Sequence, residues 1–165
     1  MAFQTTWYFS DLPKEAIEII EKDLENDFII SDNHWLNGFL LHYVERANRE
    51  NFLYDLSHLD SSSIKFKIND EGESYNKPIA WHCDSKPVDD DNNICKLSFI
   101  IQLSDVDDYE GGNVQFLDEG GGKYYMPRQR GCIGVFDSRT QHRVQKVTKR
   151  RRKSLIGFCL GPQWT

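Results

Sequence analysis

Residues 132–160 read CIGVFDSRTQHRVQKVTKRRRKSLIGFCL. Two apolar runs, Cys132 to Phe136 and Ser154 to Leu160, flank a polar middle. Each run has the length of a β-strand and is too short for a helix. The middle holds turn residues at Asp137-Ser138, a histidine at His142 and a basic run from Lys149 to Lys153. A turn near Lys149-Arg150 would fold the segment into a hairpin. Arg152 and Ser154, two apart on a strand, would then share one face, across from the His142 strand.

The same texture extends upstream to about residue 52. Ile64 to Ile68 alternates as a half-buried strand does, and Leu97 to Leu103 (LSFIIQL) and Asn113 to Leu117 (NVQFL) read as strands. Gly111-Gly112, Gly120-Gly121-Gly122 and Pro127 punctuate them. Earlier residues have helical spacing instead. Thr5 to Ser10 is a short strand, and Ser10 or Asp11 then caps a helix that Pro13 opens. Ile17, Ile20 and Leu24 form its apolar stripe. A second helix fits Trp35 to Arg49, with Trp35, Phe39, Leu40, Tyr43, Val44 and Ala47 on its apolar face. Trp7, Trp35 and Trp164 are expected in packing. The fold class is mainly β with supporting helices (α+β): an antiparallel sandwich or barrel braced by N-terminal helices. At 165 residues the chain suits a single domain over 1–165.

The net charge of −6 argues against a general nucleic-acid binder. The basic run reads as a solvated turn apart from Arg152. Cys83, Cys95, Cys132 and Cys159 form no C-x-x-C pair, and three sit in apolar runs as small hydrophobes. No signal-peptide pattern opens the sequence, and no apolar run approaches the roughly 18 residues of a membrane span. The expected setting is cytoplasmic, reducing and away from membranes. Asp89 to Asn93 is a polar acidic loop without an assigned function.

Trp81-His82-Cys83-Asp84 carries the first chemical signal. On a strand His82 and Asp84 face one side and Cys83 the other. With His142 they make two imidazoles and one carboxylate, the facial triad of non-haem iron sites, which leaves positions open for substrate and oxygen. His34, His42 and His58 lack a carboxylate at strand spacing and read as structural or surface residues. Arg152 adds a planar fork of donors that suits a carboxylate. A structural or hydrolytic zinc site has no need of it.

Together these residues resemble the 2-oxoglutarate/Fe(II) dioxygenases, in particular the prolyl 4-hydroxylase-like branch. The branch's H-x-D … H pattern matches His82, Asp84 and His142. Its later H-x-V, V-T and basic-x-hydroxyl pattern matches His142, Val144, Val147, Thr148, Arg152 and Ser154. Leu97 to Phe116 looks like the branch's strand, turn and E-G-G-x-x-x-F segment, and Ala47-Asn48 … Phe52 to Leu56 and Gly72 … Tyr75 look like its upstream part. The resemblance covers residues 35 to 160. It implies a double-stranded β-helix (jelly-roll) fold, with iron on His82, Asp84 and His142. It implies the far carboxylate of 2-oxoglutarate on Arg152, with Ser154 assisting. Gln102 stands where prolyl hydroxylases often place a tyrosine near 2-oxoglutarate, and Asn69 where the branch often has another. The implied cofactors are Fe(II), 2-oxoglutarate and O2, with ascorbate as reductant. The implied reaction hydroxylates a prolyl residue of a protein or peptide partner and releases succinate and CO2.

Asn76 to Ala80 separates Tyr75 from Trp81 by more than the branch usually shows, and Arg150 replaces a common glycine. Trp81 and Tyr75 could line a substrate mouth or pack in the core. Two other readings stand beside the first. A nucleic-acid demethylase of the same superfamily usually shows a later R-x-N-x-T-x-R run, absent here. A catalytically silent jelly-roll binding module would lose metal ligands readily.

Overall fold

The computed structural model describes residues 7–24, 34–72, 81–84 and 89–164. Strand β1 (Trp7–Asp11) precedes helices α1 (Lys14–Leu24) and α2 (Trp35–Ala47) and a π-helical turn, Asn48–Phe52. Eight strands follow: β2 (His58–Asp70), β3 (Asn93–Gln102), β4 (Tyr109–Gly111), β5 (Val114–Leu117), β6 (Lys123–Tyr125), β7 (Cys132–Asp137), β8 (His142–Val144) and β9 (Val147–Pro162). Among the described residues the larger sheet runs β1-β7-β3-β9-β2, with β4 also paired to β9, and the smaller runs β6-β5-β8. All pairings are antiparallel. This is a double-stranded β-helix braced by two helices.

Alternation along the strands sorts side chains onto two faces of the larger sheet. Leu97, Phe99 and Ile101 of β3, Ile133 and Val135 of β7, and Leu155 and Cys159 of β9 join one buried cluster. The helices complete it with Ile17, Ile20 and Leu24 of α1 and Leu36, Leu40, Val44 and Ala47 of α2. Those positions recur every three or four residues, so each helix buries one stripe. The opposite face meets the smaller sheet, where Ile100, Cys132 and Phe136 pack with Val114, Phe116 and Val144. Full burial of each such large side chain contributes about 1.5–3 kcal/mol.

Three expectations need correction. The turn near Lys149-Arg150 does not exist. The chain runs on without reversing from β8 into β9, Val144 opposite Val114 and Val147 opposite Gly111, although β8 and β9 belong to different sheets. Val147 is fully buried at the start of β9, and the basic run continues along that strand. Arg150 takes φ +61° within β9 and donates to the carbonyls of Asp107 and Asp108, both at 2.8 Å. Lys149 and Arg151 pair with Glu110 and Asp70. Second, Ser10 and Asp11 belong to β1 rather than to a helix cap, and Pro13 O accepts from Ala16 and Ile17 at the start of α1. Third, Trp35 is 43% exposed, its indole N–H bonded to Asp23, because Leu36 takes the inward position. Trp7 does pack inward, stacked on Phe116 at 5.2 Å. His34 caps α2, its Nδ1 accepting from Leu36 N.

Candidate active site

The main chains of His82 and His142 exchange hydrogen bonds, His82 N to His142 O at 3.1 Å and His142 N to His82 O at 2.9 Å. This isolated antiparallel bridge brings two segments distant in sequence side by side, with ring centres 4.3 Å apart. Asp84 lies 3.8 Å from His82 Nε2 and 3.3 Å from His142 Nε2. One ligand atom from each of the three falls within 4.8 Å of the others. Among the described residues no other group of three or more potential ligands converges in this way.

The orientations of these three side chains have local causes. His142 Nδ1 sits 2.9 Å from Thr140 O, so the Nδ1–H donates to that carbonyl and Nε2 faces Asp84. Such a bond fixes both tautomer and ring plane. Burial pushes the His142 imidazole below the ordinary histidine value, with Asp84 opposing. A neutral imidazole is the form a metal takes. Asp84 N donates to Ser138 O at 2.9 Å. Cys83 points away, its thiol 3.4 Å from Arg139 O and accepting from Gln141 Nε2 at 3.2 Å.

Arg152 lies on the interior strand β9, flanked by β2 and β3. Asn69 is its register partner, and Gln102 faces Ser154. Its guanidinium donates to Gln102 Oε1 at 3.0 Å, Ser154 Oγ at 3.3 Å and Asn69 Oδ1 at 3.4 Å. Arg152 is only 1% exposed, and all three acceptors are neutral. It makes no ion pair among the described residues. Among the described residues its Nε and the Tyr109 hydroxyl are buried without a partner in hydrogen-bond geometry. Burial pushes the guanidinium below the ordinary arginine value, with Tyr109 opposing. Gly112, at φ +64°, sits against it: an added Cβ would stand 3.2 Å from Arg152 Cδ and 3.0 Å from Val147 Cγ2.

One cavity, partly open to solvent, joins the two features. Asp84, His142, Arg152 and Ser154 line it together with apolar Ile100 and Val144. A mostly apolar lining with a few converging polar groups is typical of small-molecule sites. Two imidazoles and a carboxylate could hold one divalent ion and leave coordination positions open. A desolvated guanidinium without a counter-charge is complementary to a carboxylate brought in from outside.

The other residues singled out in the sequence separate cleanly. His42 packs edge-on against Tyr43, and His58 Nδ1 meets Ser57 Oγ. Trp81 is half-buried, with Arg143 4.4 Å over its ring. Tyr75 lies outside the described residues. The Asp89 carboxylate accepts from Asp91 N and Asn93 N, which makes the acidic loop a tight turn into β3. Gly111 and Gly112 both take positive φ, as a tight turn requires. Gln102 does not line the cavity; it orients Arg152 from behind while its own amide donates to Pro127 O. Asn69 does the same from the other side. Neither Asn69 nor Tyr109 has a periodicity or spacing in the sequence that ties it to Arg152.

The profile of the 2OG-Fe(II) oxygenase superfamily matches residues 71–160. The chain belongs to that superfamily, whose chemistry draws on Fe(II), 2-oxoglutarate and O2. A PKHD-type hydroxylase of Parvibaculum lavamentivorans is 34% identical over 62 residues. That alignment covers 38% of this chain and 28% of the hydroxylase, so the chain matches little more than a quarter of that relative's length. In fold the chain is similar to a Pseudomonas putida prolyl-4-hydroxylase, at TM-score 0.72, 19% identity, and coverage of 96% of this chain and 86% of the other. It is also similar to a Trichoplax adhaerens prolyl hydroxylase solved with a hypoxia-inducible-factor peptide fragment, at TM-score 0.70, 11% identity, and coverage of 94% and 83%. Among the described residues no helix is long and apolar enough to cross a membrane.

Proposed function

We propose that this chain is a 2-oxoglutarate-dependent dioxygenase that hydroxylates a prolyl residue in a protein or peptide, working as one domain over residues 1–165. His82, Asp84 and His142 hold Fe(II). Arg152 binds the far carboxylate of 2-oxoglutarate, Ser154 assists at the cavity wall, and Gln102 holds the guanidinium in place. The observation that carries this reading is Arg152: a fully buried cation with only neutral partners, in the same cavity as the three-ligand cluster. When bound, iron and 2-oxoglutarate supply the oxidation, in which one atom of O2 enters succinate, the other enters the substrate C–H bond, and CO2 leaves.

The rest of the work belongs to the protein. The His82–His142 bridge sets the ligand spacing, and the Thr140 carbonyl keeps His142 Nε2 turned toward the ion. The apolar wall of Ile100 and Val144 keeps water from competing for the same space. The choice of prolyl substrate is supported by the branch resemblance and by fold neighbours that are prolyl hydroxylases. The four free cysteines suit a reducing, cytoplasmic setting.

The test is succinate formation by purified protein supplied with Fe(II), 2-oxoglutarate, ascorbate and air. It is run with and without proline-containing peptides, and with Asp84→Ala as control. Iron-dependent succinate that rises with peptide, a peptide gaining one oxygen by mass spectrometry, and a silent Asp84→Ala variant are expected. Full activity in Asp84→Ala would remove the assigned triad. Succinate without any peptide response would remove the prolyl substrate and keep the class.

A further inference from the structure

The turn between β7 and β8 holds both Asp84 and His142, and a cluster on its outer side holds the turn. Asp137 ends β7 and is 1% exposed. Four donors meet its carboxylate. Arg139 N and Nε reach Oδ1 at 2.8 and 3.0 Å, and Arg139 Nη2 and the Tyr54 hydroxyl reach Oδ2 at 2.7 and 2.5 Å. The main chain closes the turn through Thr140 N to Asp137 O at 2.9 Å. Trp164, at the end of the described chain, covers the cluster. Arg139 stands 3.9 Å and Lys96 3.6 Å from the centre of its ring, which meets Tyr54 edge-on at 4.7 Å. Cations on aromatic faces attract, and more strongly once desolvated.

What the cluster immobilises is specific. Within the turn, the Ser138 carbonyl accepts from Asp84 N and the Thr140 carbonyl accepts from His142 Nδ1. The Arg139 carbonyl meets the Cys83 thiol between His82 and Asp84. Three consecutive carbonyl groups thus contact either a candidate ligand or the segment carrying two of them. Displacement of about 1 Å in such a constellation is costly to function.

We propose that Arg139, clamped on Asp137 and covered by Trp164, is a positioning residue for the metal centre, acting through the carbonyls of Ser138 and Thr140. The proposal rests on the reading of His82, Asp84 and His142 as metal ligands. The role of Arg139 is to keep the turn in the one shape that aims Asp84 and His142 at a common point. Trp164 links that shape to the C-terminal segment beyond β9.

The experiment is Co(II) titration of the purified full chain, read by the visible d–d band of the bound ion. Wild type, Asp84→Ala, Arg139→Ala, Arg139→Lys, Tyr54→Phe and Trp164→Ala are compared, with the melting temperature of each metal-free protein alongside. Arg139→Ala should bind Co(II) about 10- to 100-fold more weakly, as loss of an outer-sphere support does. Its band should change shape, reporting altered ligand geometry. Arg139→Lys, which keeps the charge without the fork, should recover part of the loss. Tyr54→Phe and Trp164→Ala should shift affinity in the same direction by smaller factors. A merely structural role would lower the melting temperature and leave affinity and band unchanged in the folded variants. That result, with Asp84→Ala failing to bind, would overturn this proposal and leave the metal centre standing. Wild type that takes up no Co(II) would overturn both. Should Arg139→Ala not fold, Tyr54→Phe and Trp164→Ala decide: wild-type affinity and band in both would overturn the proposal.

Discussion

Replacing Arg152 with Met should abolish most of the response to 2-oxoglutarate without unfolding the protein. Met preserves length and apolar packing while deleting the charge. Arg152 has no ion pair among the described residues, so no counter-charge is left stranded in the cavity. Losing one partner of a buried charge pair costs about 2–5 kcal/mol of binding. The lower figure is about a 30-fold rise in Kd. At a concentration of 100 times the wild-type Kd, a ligand stabilises by about 2.7 kcal/mol. After a 30-fold weakening the same concentration is about 3 times Kd and stabilises by about 0.8 kcal/mol. For a chain of this size 1 kcal/mol shifts Tm by about 2–4 °C. Wild type should therefore rise by about 5–11 °C and Arg152→Met by about 3 °C or less. The assay is thermal melting with Mn(II), a redox-quiet substitute for iron, and 2-oxoglutarate titrated in. Equal shifts in the two proteins would refute the assignment of Arg152 to the co-substrate.

Three further predictions follow from particular contacts. Gly157→Ala would place a Cβ 2.4 Å from Phe99 Cζ, and overpacking of this kind costs about 1–3 kcal/mol, so thermal or urea melts should show that loss. Gln102→Leu removes one bond to the Arg152 guanidinium; bonds to charged groups contribute about 1.5–3 kcal/mol, so 2-oxoglutarate affinity should fall at least about tenfold while Co(II) affinity stays constant. Burial, and then the bond to Asp137, push the Tyr54 hydroxyl up to about 12. A raised folded value means its contribution is complete below the unfolded value near 10 and is lost as pH rises through about 12. Urea midpoints of wild type should therefore fall more steeply over that alkaline range than those of Tyr54→Phe; parallel profiles would remove Tyr54 from the account.

Local periodicity made much of this protein legible in its sequence. The three- and four-residue spacing in α1 and α2 named their buried stripes, apart from Leu36, which faces inward where Trp35 was expected. The two-residue period of β3 separated Leu97, Phe99 and Ile101, which join the cluster under the helices, from Ile100, which packs toward the smaller sheet. That period also put His82 with Asp84, and Arg152 with Ser154, because i and i+2 on a strand share a side whatever the strand pairs with. Tertiary structure alone decided which strands become neighbours. His142 meets His82 across a bridge, β8 joins β5 rather than β9, and Asn69 lands opposite Arg152. The support of Asp137 by Tyr54 and Trp164 has no local signature either. Such pairings have no period to read, since they are set by how the whole chain best buries its apolar faces and satisfies its buried polar groups at once. Sequence determined which residue types face the cavity; the packing of distant strands determined which of them meet there.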